Sequence, residues 1–88
     1  MNLLTIILPV YNEEKTILNI LQRINDTKPK NINYEVIVIN DGSSDNTNQI
    51  LNDNKSLYQT FINNEKNKGK GFSVKEGLKK ANGDYIIF

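Results

Sequence analysis

The sequence predicts an α/β fold: a Rossmann-like, mostly parallel sheet with flanking helices. Two segments carry most of that prediction. Thr5 to Glu14 reads TIILPVYNEE and Glu35 to Thr47 reads EVIVINDGSSDNT, and their separation of roughly thirty positions is the length of one βαβ unit. Each is an apolar, β-branched run that stops at a polar, turn-forming cluster, as strands buried on both faces of a parallel sheet do. The third observation is that strand and helix patterns alternate along the chain as β-α-β-α-β-α-β, with short connections, which selects right-handed crossovers.

The first strand is expected over Leu3 to Leu8 and closes at Pro9, which lacks a ladder donor. Asn12 is expected to cap the following helix, with Glu13 and Glu14 in its first turn and Ile17, Ile20, Leu21 and Ile24 as one apolar stripe. Asp26 to Asn33, containing Pro29, is read as a loop, and Tyr34 to Ile39 as the second buried strand. Asp41 to Asp45 supplies turn and cap residues ahead of a short helix over Thr47 to Asn54, with Ile50 and Leu51 facing inward. A weaker strand is expected over Leu57 to Ile62, and Asn63 to Gly71 is read as a polar loop. Phe72, Lys75, Leu78, Lys79 and Ala81 suit a helix ending at Asn82-Gly83, and Tyr85 to Phe88 begins a fourth strand.

Composition narrows the chemistry. Histidine and cysteine are absent, so no Ser-His-Asp or Cys-His machine and no thiolate metal site can be assembled, and acid-base work falls to carboxylates or lysines. A net charge of +1 gives no electrostatic case for a nucleic-acid partner. No apolar run approaches the roughly 18 residues of a membrane span, and no basic leader precedes the first strand, so a cytoplasmic location is expected. At 88 residues, with an apolar run at its end, the chain is expected to be a single partial domain, residues 1–88, the amino-terminal part of a larger one.

Three clusters carry the functional reading. Strand ends in open α/β sheets are where ligands bind. Beyond the first strand, Tyr11 offers a flat ring for stacking on a base and Glu13 an acceptor for ribose hydroxyls or a base edge. The competing account is purely structural, since proline ends strands, asparagine caps helices and acidic residues fill first turns. Beyond the second strand, Asp41 is a candidate acceptor for a uracil or guanine N–H, with an Asx-turn as the bland alternative; Ser43, Ser44 and Asp45 are assigned only to the turn. Asp41→Asn is accordingly expected to weaken ligand binding and leave the fold almost untouched. The third cluster is Lys66, Lys68, Gly69, Lys70 and Gly71 before a helix start, where free backbone N–H groups can hold phosphate. It matches neither the dinucleotide fingerprint nor the P-loop, and Lys66 and Lys68 are read as solvated.

PVYNEE at Pro9 to Glu14, INDGSSDNT at Ile39 to Thr47, and NKGKGFSVKEGLKKANGDYIIF at Asn67 to Phe88 together resemble the nucleotide-binding half of the GT-A glycosyltransferases of family 2. Within that family the likeness is greatest to the polyprenyl-phosphate sugar synthases of the dolichyl-phosphate mannose synthase kind. The resemblance implies that Pro9, Tyr11, Glu13, Ile39 and Asp41 contact a nucleotide-sugar, with no catalytic and no metal-binding residue in this stretch. It implies an inverting enzyme of the cell envelope that moves a hexose to a lipid-phosphate or saccharide acceptor, at the inner face of the membrane through peripheral association. Mg²⁺ or Mn²⁺ is implied through an Asp-Xaa-Asp motif expected immediately after Tyr85 to Phe88 and absent from this chain, so the 88 residues alone are expected to be inactive. One departure is Asn40, where many members carry a first aspartate. Two other classes stay open: a non-catalytic α/β nucleotide-binding or assembly module, and a receiver-like signalling domain. The second is disfavoured by the lack of a paired acidic cluster after the first strand.

Overall fold

The computed structural model describes residues 3–27 and 31–87. Four parallel strands, β1 (Leu3–Val10), β2 (Asn33–Asp41), β3 (Thr60–Asn64) and β4 (Asp84–Ile87), lie in the order β3-β2-β1-β4. Helices α1 (Ile17–Thr27), α2 (Thr47–Asn52) and α3 (Lys70–Lys80) connect them, with a single 3₁₀ turn, Lys55–Leu57, ahead of β3. The predicted α/β class and the alternation of elements therefore hold.

The two central strands explain why their sequences read so clearly. Thr5 to Leu8 and Glu35 to Asp41 are buried throughout, because helices cover both faces. On one face Ile6, Leu8, Val10, Val36 and Val38 pack with Ile17 and Leu21 of α1, Leu51 of α2, and Tyr58. The expected α1 stripe is confirmed there, with Ile20 and Ile24 half-buried at its margin. On the other face Ile7, Ile37 and Ile39 lie beneath α3. Chain order runs from β1 outward to β3 and then returns to the far side of β1, so β1 sits at the reversal of strand order, where open α/β sheets have their binding crevice.

Several expectations are corrected. Asn12 does not cap α1: it has a left-handed φ of 51°, and the first i→i−4 bond runs from Ile17 N–H to Glu13 C=O. Strand β1 runs through Pro9 to Val10, paired with β2 along its whole length. Asp26 and Thr27 belong to α1 and Asn33 to β2, while Pro29 lies outside the described residues. Strand β2 continues past Ile39 to Asp41, and α2 stops at Asn52. Strand β3 is shifted to Thr60–Asn64, taking in Asn63 and Asn64. Their polarity reads as loop, but each is satisfied by a neighbour: Asn40 Nδ2 donates to Asn63 Oδ1, and Asn64 Nδ2 to Asp41 Oδ1, at 3.1 and 3.2 Å. Phe88 of the expected fourth strand lies outside the described residues, and β4 begins at Asp84.

The helix expected around Phe72 to Ala81 is α3, Lys70–Lys80, and its contact with the sheet is not made by its large apolar residues. Phe72 and Leu78 are exposed, and the buried residues are Ser73 and Gly77. The cause is close approach: a Cβ on Gly77 would stand 2.7 Å from Ile7 Cγ2 and 3.1 Å from Ile39 Cδ1. Only very small side chains fit between this helix and the sheet.

Candidate functional site

At the carboxyl ends of β1 and β2 the chain turns away from the sheet twice, and the two turns are fastened to each other. Three successive backbone N–H groups of the first turn donate to side chains of the second: Asn12 to Ser43 Oγ and Glu13 to Thr47 Oγ1, both at 2.9 Å, and Glu14 to Asp45 Oδ2 at 3.2 Å. In return Ser44 N–H donates to Asn12 Oδ1 at 2.7 Å. The left-handed backbone at Asn12, tolerated because a short amide side chain can bond locally, is what turns its carboxamide onto the second loop. Asn12, Ser43 and Asp45 are thus more than helix caps and turn residues: they set the position from which Tyr11 and Glu13 project.

Asp41 fastens the third segment. It is 4% exposed, and its carboxylate accepts from Lys68 N–H at 2.8 Å and Asn64 Nδ2 at 3.2 Å on Oδ1, and from Gly69 N–H at 2.9 Å on Oδ2. Burial alone would push this carboxyl up, but the donors from Lys68, Asn64 and Gly69 outweigh it and hold it below the ordinary aspartate value. The fully buried Ser73 hydroxyl faces the same carboxylate and closes no hydrogen bond among the described residues. Gly42 permits the arrangement. At its φ of 71° a Cβ would fall 2.3 Å from Asn67 N, so the β3–α3 loop crosses directly over this turn.

These three segments enclose an open cavity of about 370 Å³, lined by Pro9, Val10, Tyr11, Glu13, Asp41, Asn67, Gly69 and Lys70. Four of the five residues singled out from sequence, Pro9, Tyr11, Glu13 and Asp41, are brought together there. Ile39 is not: its side chain is fully buried beneath α3. Tyr11 is 48% exposed, and the Glu13 carboxylate is steadied by a 2.7 Å hydrogen bond from Thr16 Oγ1. Lys70 brings a cation to the rim, while Lys68 Nζ turns away, 4.7 Å from the centre of the Phe72 ring. Two of the N–H groups expected to be free for phosphate, those of Lys68 and Gly69, are committed to Asp41 instead. Sequence reasoning passed over Asn64 and Asn67, whereas Lys70 belongs to the third cluster; the Asn-Lys-Gly-Lys string was the only signal for Asn67, and Asn64 had none.

The departure at Asn40 is structural. Its side chain is buried, accepts from Ser43 Oγ and donates to Asn63, a bond that an aspartate could not make. Among the described residues no three Asp, Glu, His or Cys side chains converge to hold a metal ion. Asp41, the buried carboxylate of the cavity, is already surrounded by N–H donors. No helix among the described residues is long and apolar enough to cross a membrane.

Comparison with known proteins accounts for this architecture. The model of "Glycosyl transferase family 2" matches residues 5–88. Poly-beta-1,6-N-acetyl-D-glucosamine synthase of Staphylococcus epidermidis is 36% identical over 86 residues, covering 96% of this chain and 20% of its own length. Poly(ribitol-phosphate) beta-glucosyltransferase of Bacillus spizizenii is 36% identical over 89 residues, covering 97% of this chain and 14% of its own length. The chain thus spans a fifth or less of these curated relatives. Among solved structures, S. aureus TarS 1-349 in complex with UDP superposes with a TM-score of 0.84 at 30% identity, over 100% of this chain and 27% of that one. The mannosyltransferase PcManGT from Pyrobaculum calidifontis, in complex with GDP-Man and Mn²⁺, superposes with a TM-score of 0.76 at 26% identity, over 90% of this chain and 24% of that one. By its sequence motifs, its parallel sheet and these matches, the chain belongs to glycosyl transferase family 2, of which it carries a Rossmann-like part.

Proposed function

We propose that the cavity binds the nucleotide of a uridine diphosphate sugar and positions it for an inverting hexosyl transfer. The observation that carries the reading is the committed state of Asp41. A carboxylate offers about four acceptor sites, and three are filled, both on Oδ1 and one on Oδ2. The remaining site on Oδ2 suits a single N–H, as in the imide edge of uracil. Guanine presents two donors side by side and needs both oxygens open. The TarS structures named with UDP and UDP-GlcNAc, at TM-scores of 0.84 and 0.82, support the same choice.

In this reading Tyr11 stacks on the base, Pro9 forms the wall beside it, Glu13 accepts from ribose hydroxyls, and Lys70 offsets phosphate charge. Ile39 acts only through the strand that carries Asp41. The residues bind and orient the donor, which is worth several orders of magnitude in rate through positioning. When a divalent cation is bound by the whole enzyme, it supplies charge neutralisation at the leaving diphosphate. The names of the relatives, a polysaccharide synthase and a poly(ribitol-phosphate) glucosyltransferase, favour a polymer or saccharide acceptor over the lipid phosphate implied by the sequence motifs.

Calorimetric titration of UDP and GDP into the chain tests the proposal. UDP is expected to bind at least about ten-fold more tightly, a difference of roughly 1.4 kcal/mol. Equal affinities, or no heat with either nucleotide, would overturn it.

A further inference from the structure

Asn64 closes β3 in direct register with Asp41. It is 8% exposed, and both N–H groups of its carboxamide are used, one on Asp41 Oδ1 at 3.2 Å and the other on Glu76 Oε1 at 2.8 Å. Asp41 belongs to the cavity wall; Glu76 belongs to the middle of α3. Two carboxylates from different elements therefore converge on one amide, and nothing else among their described hydrogen bonds links them.

We propose that Asn64 is a positioning residue of the nucleotide cavity: by bridging Asp41 to Glu76 it separates two carboxylates and holds Asp41 in the orientation that receives the base. The proposal rests on reading the cavity as a nucleotide site. Its physical basis is that carboxylates sharing a site cannot both stay ionised cheaply, and an amide between them supplies a donor to each. The other groups around Asp41 do not replace it. Lys68 and Gly69 contribute only backbone N–H groups, Ser73 a neutral hydroxyl, and the Lys68 ammonium lies over Phe72. Glu13 and Lys70 line the cavity on its solvent side. Asn64 itself lines a separate surface hollow with Asn63, Glu65, Lys66 and Lys68, so it acts on the nucleotide only through Asp41.

The test is the pH dependence of UDP affinity for the wild type, Asn64→Asp and the double variant Asn64→Asp/Glu76→Gln. Asn64→Asp places three carboxylates together, so the acid limb of UDP binding is expected to rise by about one pH unit or more, with roughly ten-fold weaker binding at pH 7. Glu76→Gln in that background restores the count of two carboxylates and one amide, and is expected to return the acid limb at least halfway. A purely structural role for Asn64 would weaken binding without moving the limb. An unmoved limb in Asn64→Asp, or a limb that Glu76→Gln does not recover, overturns the proposal. The Asp41 carboxyl titration, followed by carbon NMR in the ligand-free chain, is expected to move upward in the single variant and recover in the double. That measurement stands even if the wild type binds no UDP, the result that would sink the cavity reading alone. Should Asn64→Asp not fold, Asn64→Leu, which removes both donors without adding charge, is expected to raise the Asp41 titration in the same direction.

Discussion

Three donors converge on the Asp41 carboxylate before any ligand arrives, so a substitution there tests the fold as well as the nucleotide. In Asp41→Asn one oxygen becomes an NH₂ that faces the Gly69 N–H or the Lys68 and Asn64 donors, and charge assistance is lost from the others. The cost is roughly 1.5–3 kcal/mol for bonds to a charged group. At roughly 4–8 °C per kcal/mol for a domain of this size, the melting temperature should drop clearly. This reverses the sequence-based expectation of an unperturbed fold. Asp45→Asn is the contrasting case: its remaining oxygen keeps the 2.9 Å bond from Thr47 N–H, and only the longer 3.2 Å bond from Glu14 N–H meets the new NH₂. Calorimetric melts of both variants should therefore show the larger loss for Asp41→Asn, and equal losses would mean that Asp41 holds the loop no better than a cap. At this scale the gathering of Pro9, Tyr11, Glu13 and Asp41 at one place was readable from strand-end motifs. The wiring was not: that Asn12 reaches to Ser44, or Asp41 to Lys68 and Gly69, depends on contacts roughly thirty positions apart, which no local pattern encodes.

Among the elements, legibility followed burial. Strands β1 and β2 are covered on both faces and announce themselves as continuous apolar runs, whereas β3 ends in two asparagines whose partners are on another strand. Helix α3 was legible as a helix but its contact face was not: that face is built from Ser73 and Gly77, residues that carry no hydrophobic signal. The two glycines of α3 give opposed predictions. Gly77→Ala gains roughly 0.8–1 kcal/mol of helix propensity but drives a methyl into Ile7 and Ile39, both fully buried, where overpacking costs roughly 1–3 kcal/mol. The packing term wins because neither isoleucine can retreat, and the variant should be destabilised. Gly71→Ala has open space around it, so the propensity gain is unopposed and stability should rise by up to roughly 1 kcal/mol. Urea titration of the two variants reads the signs directly; stabilisation by Gly77→Ala would show that α3 packs less closely than its geometry indicates.

At the scale of the whole molecule, three carboxylates cross-link elements distant in sequence, and this makes the fold acid-sensitive. Asp41 ties β2 to β3 and the approach to α3, and Asp45 ties the first strand-end turn to α2. Glu35 works at the opposite end of the sheet, accepting from Thr5 Oγ1 at 2.7 Å and from Asn82 N–H and Nδ2 at 3.0 and 2.7 Å, so that β1, β2 and the α3–β4 turn meet on one side chain. Burial would raise the Glu35 carboxyl, but these donors more than offset it, and its pKa is lowered from the ordinary 4.5, as those of Asp41 and Asp45 are from 3.8. A carboxylate with a depressed folded-state pKa contributes stability that is complete above its unfolded-state value and is lost as pH falls through the folded one. Unfolding free energy should accordingly be level near neutrality, begin to fall as pH drops through about 4.5, and keep falling below 3.8 as each link is protonated. Glu35→Gln isolates one of the three. Glutamine keeps an acceptor for Thr5 and Asn82 N–H, and a turned Asn82 amide can take its new donor, so the hydrogen bonds survive while the titration disappears. Near pH 7 the variant should be less stable than wild type by roughly 1 kcal/mol, the advantage of a charge-assisted over a neutral bond. As acid protonates Glu35 in the wild type that difference should shrink toward zero, so the two denaturation curves converge at low pH. A gap between wild type and variant that stays constant from neutral to acid pH would show that the charge of Glu35 contributes nothing, and that the junction of β1, β2 and the α3–β4 turn is held by shape alone.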